Sequence, residues 1–296
     1  AEVECVDGVF GEQPNSDPDP CSLTVTCPND LTVSADSACS AQVDVASLAT
    51  VSAANCGAVT MSQDANVFGL GETTVKVTAT DASGAEGHCN MHVNVVDNTP
   101  PTLFMPADTQ LSCDADFTSQ NTGMATTSDN CPGVTIEETD EMLPGTCPQS
   151  YFIFRTWNAT DASGNSVALT QHVDVVDFDA PVQTQHDQVC LWPPNHKFYC
   201  VSSATSQFVS GTDNCGSVAV SFDGCTSSQP ANAEGDGNFQ PDCFYKSLTD
   251  TMCFRAERQG TVAGGRTYTA GFTAVDECGN FAPFSRTVFV PHDDDS

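Results

Sequence analysis

Apolar and polar residues alternate with a period of two along much of the chain. Met91-His92-Val93-Asn94-Val95-Val96-Asp97 is one such run, and Gln171-His172-Val173-Asp174-Val175-Val176-Asp177 and Arg286-Thr287-Val288-Phe289-Val290-Pro291-His292 follow it. Thr73–Thr78, Tyr151–Trp157 and Val218–Phe222 show the same pattern. This period places every second side chain on one face, which is the signature of a strand with one buried face. Clusters of Gly, Asp, Asn and Ser separate the runs, and helix signals are nearly absent. Short alternating strands at this spacing predict an antiparallel β-sandwich.

One phrase recurs. Ala79-Thr80-Asp81-Ala82-Ser83-Gly84 returns as Ala159-Thr160-Asp161-Ala162-Ser163-Gly164, and more loosely as Ala274-Val275-Asp276-Glu277-Cys278-Gly279-Asn280. Each copy lies between two alternating runs, so it reads as a hairpin turn with Gly84, Gly164 and Gly279 at positive φ. A repeat of about 80 residues exceeds a solenoid unit and suffices for a small domain. Asp97-Asn98-Thr99-Pro100-Pro101 and Asp177-Phe178-Asp179-Ala180-Pro181 end one copy and begin the next, where proline terminates a strand and stiffens a short linker. The expected division is an extension at 1–21, modules at 22–98 and 99–178, and a longer third module at 179–296 with a loop insertion near 225–253. The fold class is therefore all-β: three tandem Ig-like antiparallel β-sandwich modules, stabilised by disulfides.

Charge narrows the function. The chain has 296 residues, 39 acidic against 8 basic, and a formal net charge of -31. Phosphate backbones and anionic membrane surfaces both require basic residues, so the charge argues against nucleic acid and against an anionic membrane surface as partners. The charge serves solubility and repulsion between copies, or binds calcium, which takes oxygen ligands. The 16 cysteines are spread out rather than bunched in CxxC pairs. That favours an oxidising compartment over zinc. No apolar run approaches the length of a membrane span. If the protein is secreted, a signal peptide has already been removed. Asn158-Ala159-Thr160 is a glycosylation sequon, meaningful in a eukaryotic secretory pathway.

Several motifs resemble a known family. Val25-Thr26-Cys27-Pro28-Asn29-Asp30-Leu31, Asn55-Cys56-Gly57, Gly71-Glu72-Thr73-Thr74-Val75, Asp81-Ala82-Ser83-Gly84 and Asp97-Asn98-Thr99-Pro100-Pro101 together resemble one hyalin repeat. The second module is similar to the related Ig-like variant, through Ser128-Asp129-Asn130-Cys131 and Gly145-Thr146-Cys147-Pro148. The third resembles a module of secreted microbial proteins, through Leu191-Trp192-Pro193-Pro194-Asn195-His196-Lys197 and Phe254-Arg255-Ala256-Glu257-Arg258. The resemblance implies Ig-like sandwiches in extracellular, often adhesive or matrix, proteins and carries no catalytic residues. Such modules often have cysteine where Ser163 stands, which removes a partner for Cys113.

Spacing suggests the pairs Cys39–Cys56, Cys27–Cys89, Cys131–Cys147, Cys200–Cys278, Cys215–Cys225, Cys243–Cys253 and Cys5–Cys21, leaving Cys113 and Cys190 for mispairing or a link between chains. Two kinds of calcium site are expected. One is the loop bearing Glu234, Asp236, Asn238, Gln240 and Asp242, whose alternative is a solvated acidic loop. In the other, Asp97, or Asp177 with Asp179, shares an ion with a turn residue, Asp81 or Asp161; its alternative is turn-forming Asp. Asp129-Asn130-Cys131 and Asp213-Asn214-Cys215 read as turns beside disulfides. His92 and His172 occupy equivalent strand positions and read as structural, and His196 reads as packing around Trp192. No HExxH, nucleophile elbow or phosphate loop is present, so no enzyme is expected.

The leading reading is a secreted, extracellular or cell-surface structural or adhesive protein. It associates with itself or with matrix proteins or glycans, and its acidic loops hold calcium. In one form Val3–Phe10 adds a strand to a neighbouring copy and builds a filament. The alternatives are a glycan- or protein-binding array, using aromatics such as Phe239 and Tyr245, and the accessory region of a larger secreted enzyme.

Overall fold

The computed structural model describes residues 20–184, 188–202, 208–231, 240–249, 251–260 and 263–292. Strands dominate them, with a single helical turn at Ser119–Thr122 and a 3-10 turn at Ser247–Thr249 among the described residues. One four-stranded sheet is built three times with the same connectivity. The first has the spatial order Leu31–Ser34, Glu86–Val96, Gly71–Asp81, Val59–Gln63; the second Thr109–Ser112, Ser166–Val176, Tyr151–Thr160, Thr135–Pro144; the third Val189–Cys190, Phe281–Val290, Arg266–Asp276, Val218–Ser227. Smaller sheets accompany them, such as Ser22–Thr26 with Thr50–Ala54 and Thr102–Phe104 with Thr126–Ser128.

The Asp-x-Ser-Gly phrase forms the expected hairpins. Gly84, Gly164 and Gly279 have φ of 88°, 92° and 92°. The Gly84 N–H donates to the Asp81 carbonyl at 3.1 Å, and the Asp81 N–H donates to the Ala85 carbonyl at 3.0 Å. Antiparallel pairing is not universal, however. In each copy the first strand runs parallel to the last, with Leu31 opposite Val93, Thr109 opposite Val173 and Val189 opposite Val288. The cause is visible in the first copy. Ser22–Thr26 pairs in one sheet, Pro28 interrupts that ladder, and the chain continues in the same direction into the other sheet.

The described chain forms two compact units, and their division cuts through the second repeat: residues 125–137 and 157–169 join the N-terminal unit, while 105–124, 138–156 and 170 onward form the other. In the first unit Val45, Phe68, Val75, Val77, Ala79, Val93 and Val95 are almost fully buried, and Leu103, Ala125, Trp157 and Ala159 form a second cluster. The second unit has a large aromatic core around Phe208, Phe254, Tyr268 and Phe272 and a small one at Ile153, Val173 and Val175. Each of the buried Val, Leu, Ile and Phe side chains contributes roughly 1.5–3 kcal/mol. Beside the small core, Arg155 is buried to 1 % exposure and donates to Asp140 Oδ1 and Oδ2, both at 2.8 Å, and to Thr122 and the Phe117 carbonyl. Glu138 lies 2.9 Å from its Nε.

Disulfides supplement these cores, and most pair differently from the spacing argument. Cys27–Cys89 is present. The others are Cys21–Cys56, Cys39–Cys131, Cys113–Cys215, Cys147–Cys278, Cys200–Cys253 and Cys225–Cys243. These replace Cys5–Cys21, Cys39–Cys56, Cys131–Cys147, Cys200–Cys278, Cys215–Cys225 and Cys243–Cys253. The physical reason is that three bonds join one repeat to the next, which a pairing confined to each repeat misses. Cys200 and Cys253 are directly opposed on paired strands, as cross-strand partners. Cys113 therefore has a partner, while Cys190 is free and exposed. Cys5 and the Val3–Phe10 segment lie outside the described residues.

Candidate metal centres at the repeat boundaries

The strand Glu86–Val96 delivers its chain to Asp97, which is only 6 % exposed. Asp97 Oδ1 accepts from the Thr99 N–H at 3.1 Å and from Asn130 Nδ2 at 3.3 Å. Asp161, also 6 % exposed, heads the next hairpin turn. Its Oδ1 accepts from the Ser163 and Asn165 N–H groups at 2.9 and 2.8 Å, and its Oδ2 from Asn165 Nδ2 at 2.8 Å. Asn165 Nδ2 also donates to the Asp97 carbonyl at 3.0 Å and so ties turn to boundary. Asp129 completes the group, its Oδ2 accepting from the Cys131 N–H at 3.1 Å. One carboxylate oxygen from each of Asp97, Asp129 and Asp161 lies within 4.8 Å of the other two.

This group has more acceptors than donors. Asp97 Oδ2, Asp129 Oδ1 and Asn130 Oδ1 are buried and have no hydrogen-bond partner among the described residues. A buried polar atom without a partner costs about 1–3 kcal/mol. Two oxygens on one calcium ion sit at most about 5 Å apart, so a ring of this size fits such an ion. Burial pushes the Asp161 carboxyl up, but the bonds from Asn165, Ser163 and Gly164 outweigh it and hold the group below its ordinary value. Asp161 thus remains an anion.

The second boundary repeats the arrangement. Asn280 Nδ2 donates to Asp276 Oδ2 at 2.9 Å and to the Asp177 carbonyl at 3.2 Å, as Asn165 does to Asp161 and Asp97. Asp213 Oδ1 accepts from the Cys215 N–H at 2.8 Å, and Asp213 Oδ2 is buried and has no partner among the described residues. Asn214 Nδ2 reaches Asp179 Oδ2 at 3.1 Å. Asp177, Asp213 and the bridged Cys215 form a compact group. Burial, together with the charges of Asp213, Asp276 and Asp179, raises the Asp177 carboxyl against the opposing Asp179 N–H. Like charges are therefore crowded here.

Asp81 does not join Asp97. The strand Glu86–Val96 separates the turn from the boundary by 11 residues, or about 35 Å. Asp97 meets the turn of the following repeat instead. Asp81 Oδ1 is committed to Ser83 and Ala85, and the Ser83 hydroxyl and the backbone N–H groups hold its carboxyl low. Its neighbours Cys21 and Cys56 are joined to each other, and Ala54 stands where the later copies have Asp129 and Asp213. Asp129 and Asp213, read from sequence only as turn residues, are turn residues that also aim an oxygen at each cluster. Their signal was the Asp in two Asn-Cys copies and its absence from the first.

The other acidic candidate resolves differently. Glu234, Asp236 and Asn238 lie outside the described residues. Asp242 is 6 % exposed and its Oδ2 is 2.7 Å from Arg266 Nη1, so it serves an internal ion pair rather than a surface loop. Arg266 also meets Glu257, which is fully buried. Burial, with Asp242 nearby, raises the Glu257 carboxyl to about 7. His196 Nδ1 is 3.3 Å from Glu257 Oε2, so His196 caps this network instead of merely packing on Trp192. His92 and His172 N–H groups each donate to an aspartate, Asp30 and Asp108, at 2.8 Å, a shared structural role. Asn158 is half-buried in Tyr151–Thr160 between the buried Trp157 and Ala159. No described helix is long and apolar enough to cross a membrane.

No family model and no curated protein matches the chain. Solved structures similar to it include the extracellular domain of protocadherin gammaB4, at 15% identity and a TM-score of 0.29, over 89% of this chain and 49% of that one. Extracellular cadherin domains 3–6 of protocadherin gamma B2 match at 14% identity and 0.31, over 91% and 73%. Domains EC1-4 of Drosophila N-cadherin match at 11% identity and 0.29, over 91% and 75%. The chain thus spans about half the length of the first of these, and the functional argument rests on its own residues.

Proposed function

We propose that this chain is an extracellular structural or adhesive spacer whose repeat boundaries bind calcium and are stiffened by it. The observation that carries the reading is the buried ring of Asp97, Asp129 and Asp161, drawn from two successive repeats, with oxygens that no protein donor satisfies. A divalent cation supplies the missing partner and offsets the like-charge repulsion. Because Asp97 belongs to the boundary and Asp161 to the next turn, an ion there holds two repeats in register. The seven disulfides among the described residues support an oxidising compartment, and the charge of -31 makes any self-association dependent on cations. Hydrogen–deuterium exchange with calcium and with chelator tests this. Protection should rise in peptides containing Asp97, Asp129–Cys131 and Asp161–Asn165; unchanged exchange in all three would sink the reading.

A second reading has its own observation. Trp192, Tyr199 and Tyr245 of the third repeat are 39–40% exposed, which suits stacking on a sugar. A glycan array lacking any hit for the intact protein removes it.

A further inference from the structure

The disulfides do more than lock individual repeats. Cys39–Cys131 spans 92 residues and Cys147–Cys278 spans 131, with Cα atoms 4.7 and 5.1 Å apart. Their ends lie in sequence order without overlap. A pull applied at Cys21 and His292 therefore follows the chain to Cys39, crosses to Cys131, follows the chain to Cys147, crosses to Cys278 and continues to His292. Every residue on that path is described. Residues 40–56 form a parallel arm of nearly equal length through Cys21–Cys56 and leave the cap unchanged. The loops 57–130 and 148–277 carry no tension, and all the acidic residues of both boundary clusters lie on them.

We infer that the protein is a strain-limited tether: its covalent connectivity caps its extension and shields the cation sites from force. The path holds about 50 residues, so its fully stretched length is ~180 Å, against ~950 Å for the same segment without crosslinks. This holds whether or not calcium is bound, so it stands apart from the proposed metal chemistry. Four strands lie on the path: Ser22–Thr26, Leu31–Ser34, Thr135–Pro144 and Phe281–Val290. Thr135–Pro144 is the weakest of them, since all ten of its residues are exposed and it forms the outer edge of its sheet. Its anchor is Arg155, which grips Glu138 and Asp140 in a charge-assisted fork. It yields first, and the disulfides then stop the extension.

Single-molecule force spectroscopy on the full chain, held at its two ends, tests the inference. Residues and handles outside Cys21–His292 add the same length to every trace. The oxidised protein should stop at ~180 Å for this segment, and reductant should lengthen it about fivefold. Replacing Cys147 and Cys278 by serine should roughly double the oxidised limit to ~330 Å, because the next-shortest route runs through Cys113–Cys215. Glu138→Gln with Asp140→Asn should lower the force of the first release and leave the limit unchanged. The limit is read after all folds are lost, so a poorly folded variant still reports, and peptide mapping confirms which bonds it holds. An oxidised wild-type trace extending several hundred ångströms past the cap, or identical oxidised and reduced traces, would overturn the inference.

Discussion

Asp97→Asn separates a cation site from a strained turn, because it reverses its effect with calcium. Asparagine keeps Oδ1 for the Thr99 N–H and Asn130 Nδ2, so the boundary turn survives. It replaces the partnerless Oδ2 by an amide donor pointing at the acceptors of the cluster. Without calcium, the wild type holds Asp97 and Asp129 oxygens within 4.8 Å, a repulsion of about 3 kcal/mol at an effective dielectric near 20. Water entry reduces the recoverable part to roughly 1–2 kcal/mol, so in chelator the variant should unfold at a higher temperature than the wild type. With calcium at a hundredfold excess over its dissociation constant, the wild type gains about 2.7 kcal/mol and the variant loses that gain. At roughly 2–4 °C per kcal/mol for a unit of this size, the two melting curves should exchange order by several degrees. Scanning calorimetry of both proteins in chelator and in calcium reads this directly. A variant stabilised equally in both conditions, or a wild type indifferent to calcium, would refute the reasoning.

Two further outcomes follow from the second unit. Glu257 has a folded pKa raised to about 7 by burial among Asp242, Arg266, Arg255, His196 and Tyr268. A raised folded value means the folded state holds the proton more tightly, so its stabilisation is complete below the ordinary carboxyl range near 4.5 and is lost as pH rises through about 7. Denaturant unfolding in chelator should show stability falling between pH 5 and 8, and Glu257→Gln should flatten that slope; an unchanged slope contradicts the assignment. Arg155→Met should cost about 2–3 kcal/mol, below the range for a fully buried pair because Glu138 and Asp140 are partly solvated. Thermal unfolding measures it, and a loss under 1 kcal/mol would show that the fork contributes little.

The hairpins were legible because their chemistry is local: Asp81 and Gly84 interact three residues apart, and the same turn recurs at Asp161 and Asp276. The alternating strands were legible for the same reason. The parallel edge pairing was not, since it follows from one strand changing sheets at Pro28 rather than from any periodicity. The disulfides were the least legible. Cys39 and Cys131 meet across 92 residues, and spacing favours nearer partners. Asp97 and Asp161 were recognisable as candidates, but the choice of turn depended on strand length, which places Asp81 at the far end of its hairpin. Asp129 looked like a turn residue because one of its oxygens is one; only the geometry reveals the task of the other.

Isothermal titration of calcium into chelator-stripped protein tests the central claim most directly. The account predicts saturable binding with one site per repeat boundary, and loss of one of the two on Asp97→Asn. Absence of binding at millimolar calcium, or identical isotherms for the variant and the wild type, would contradict it.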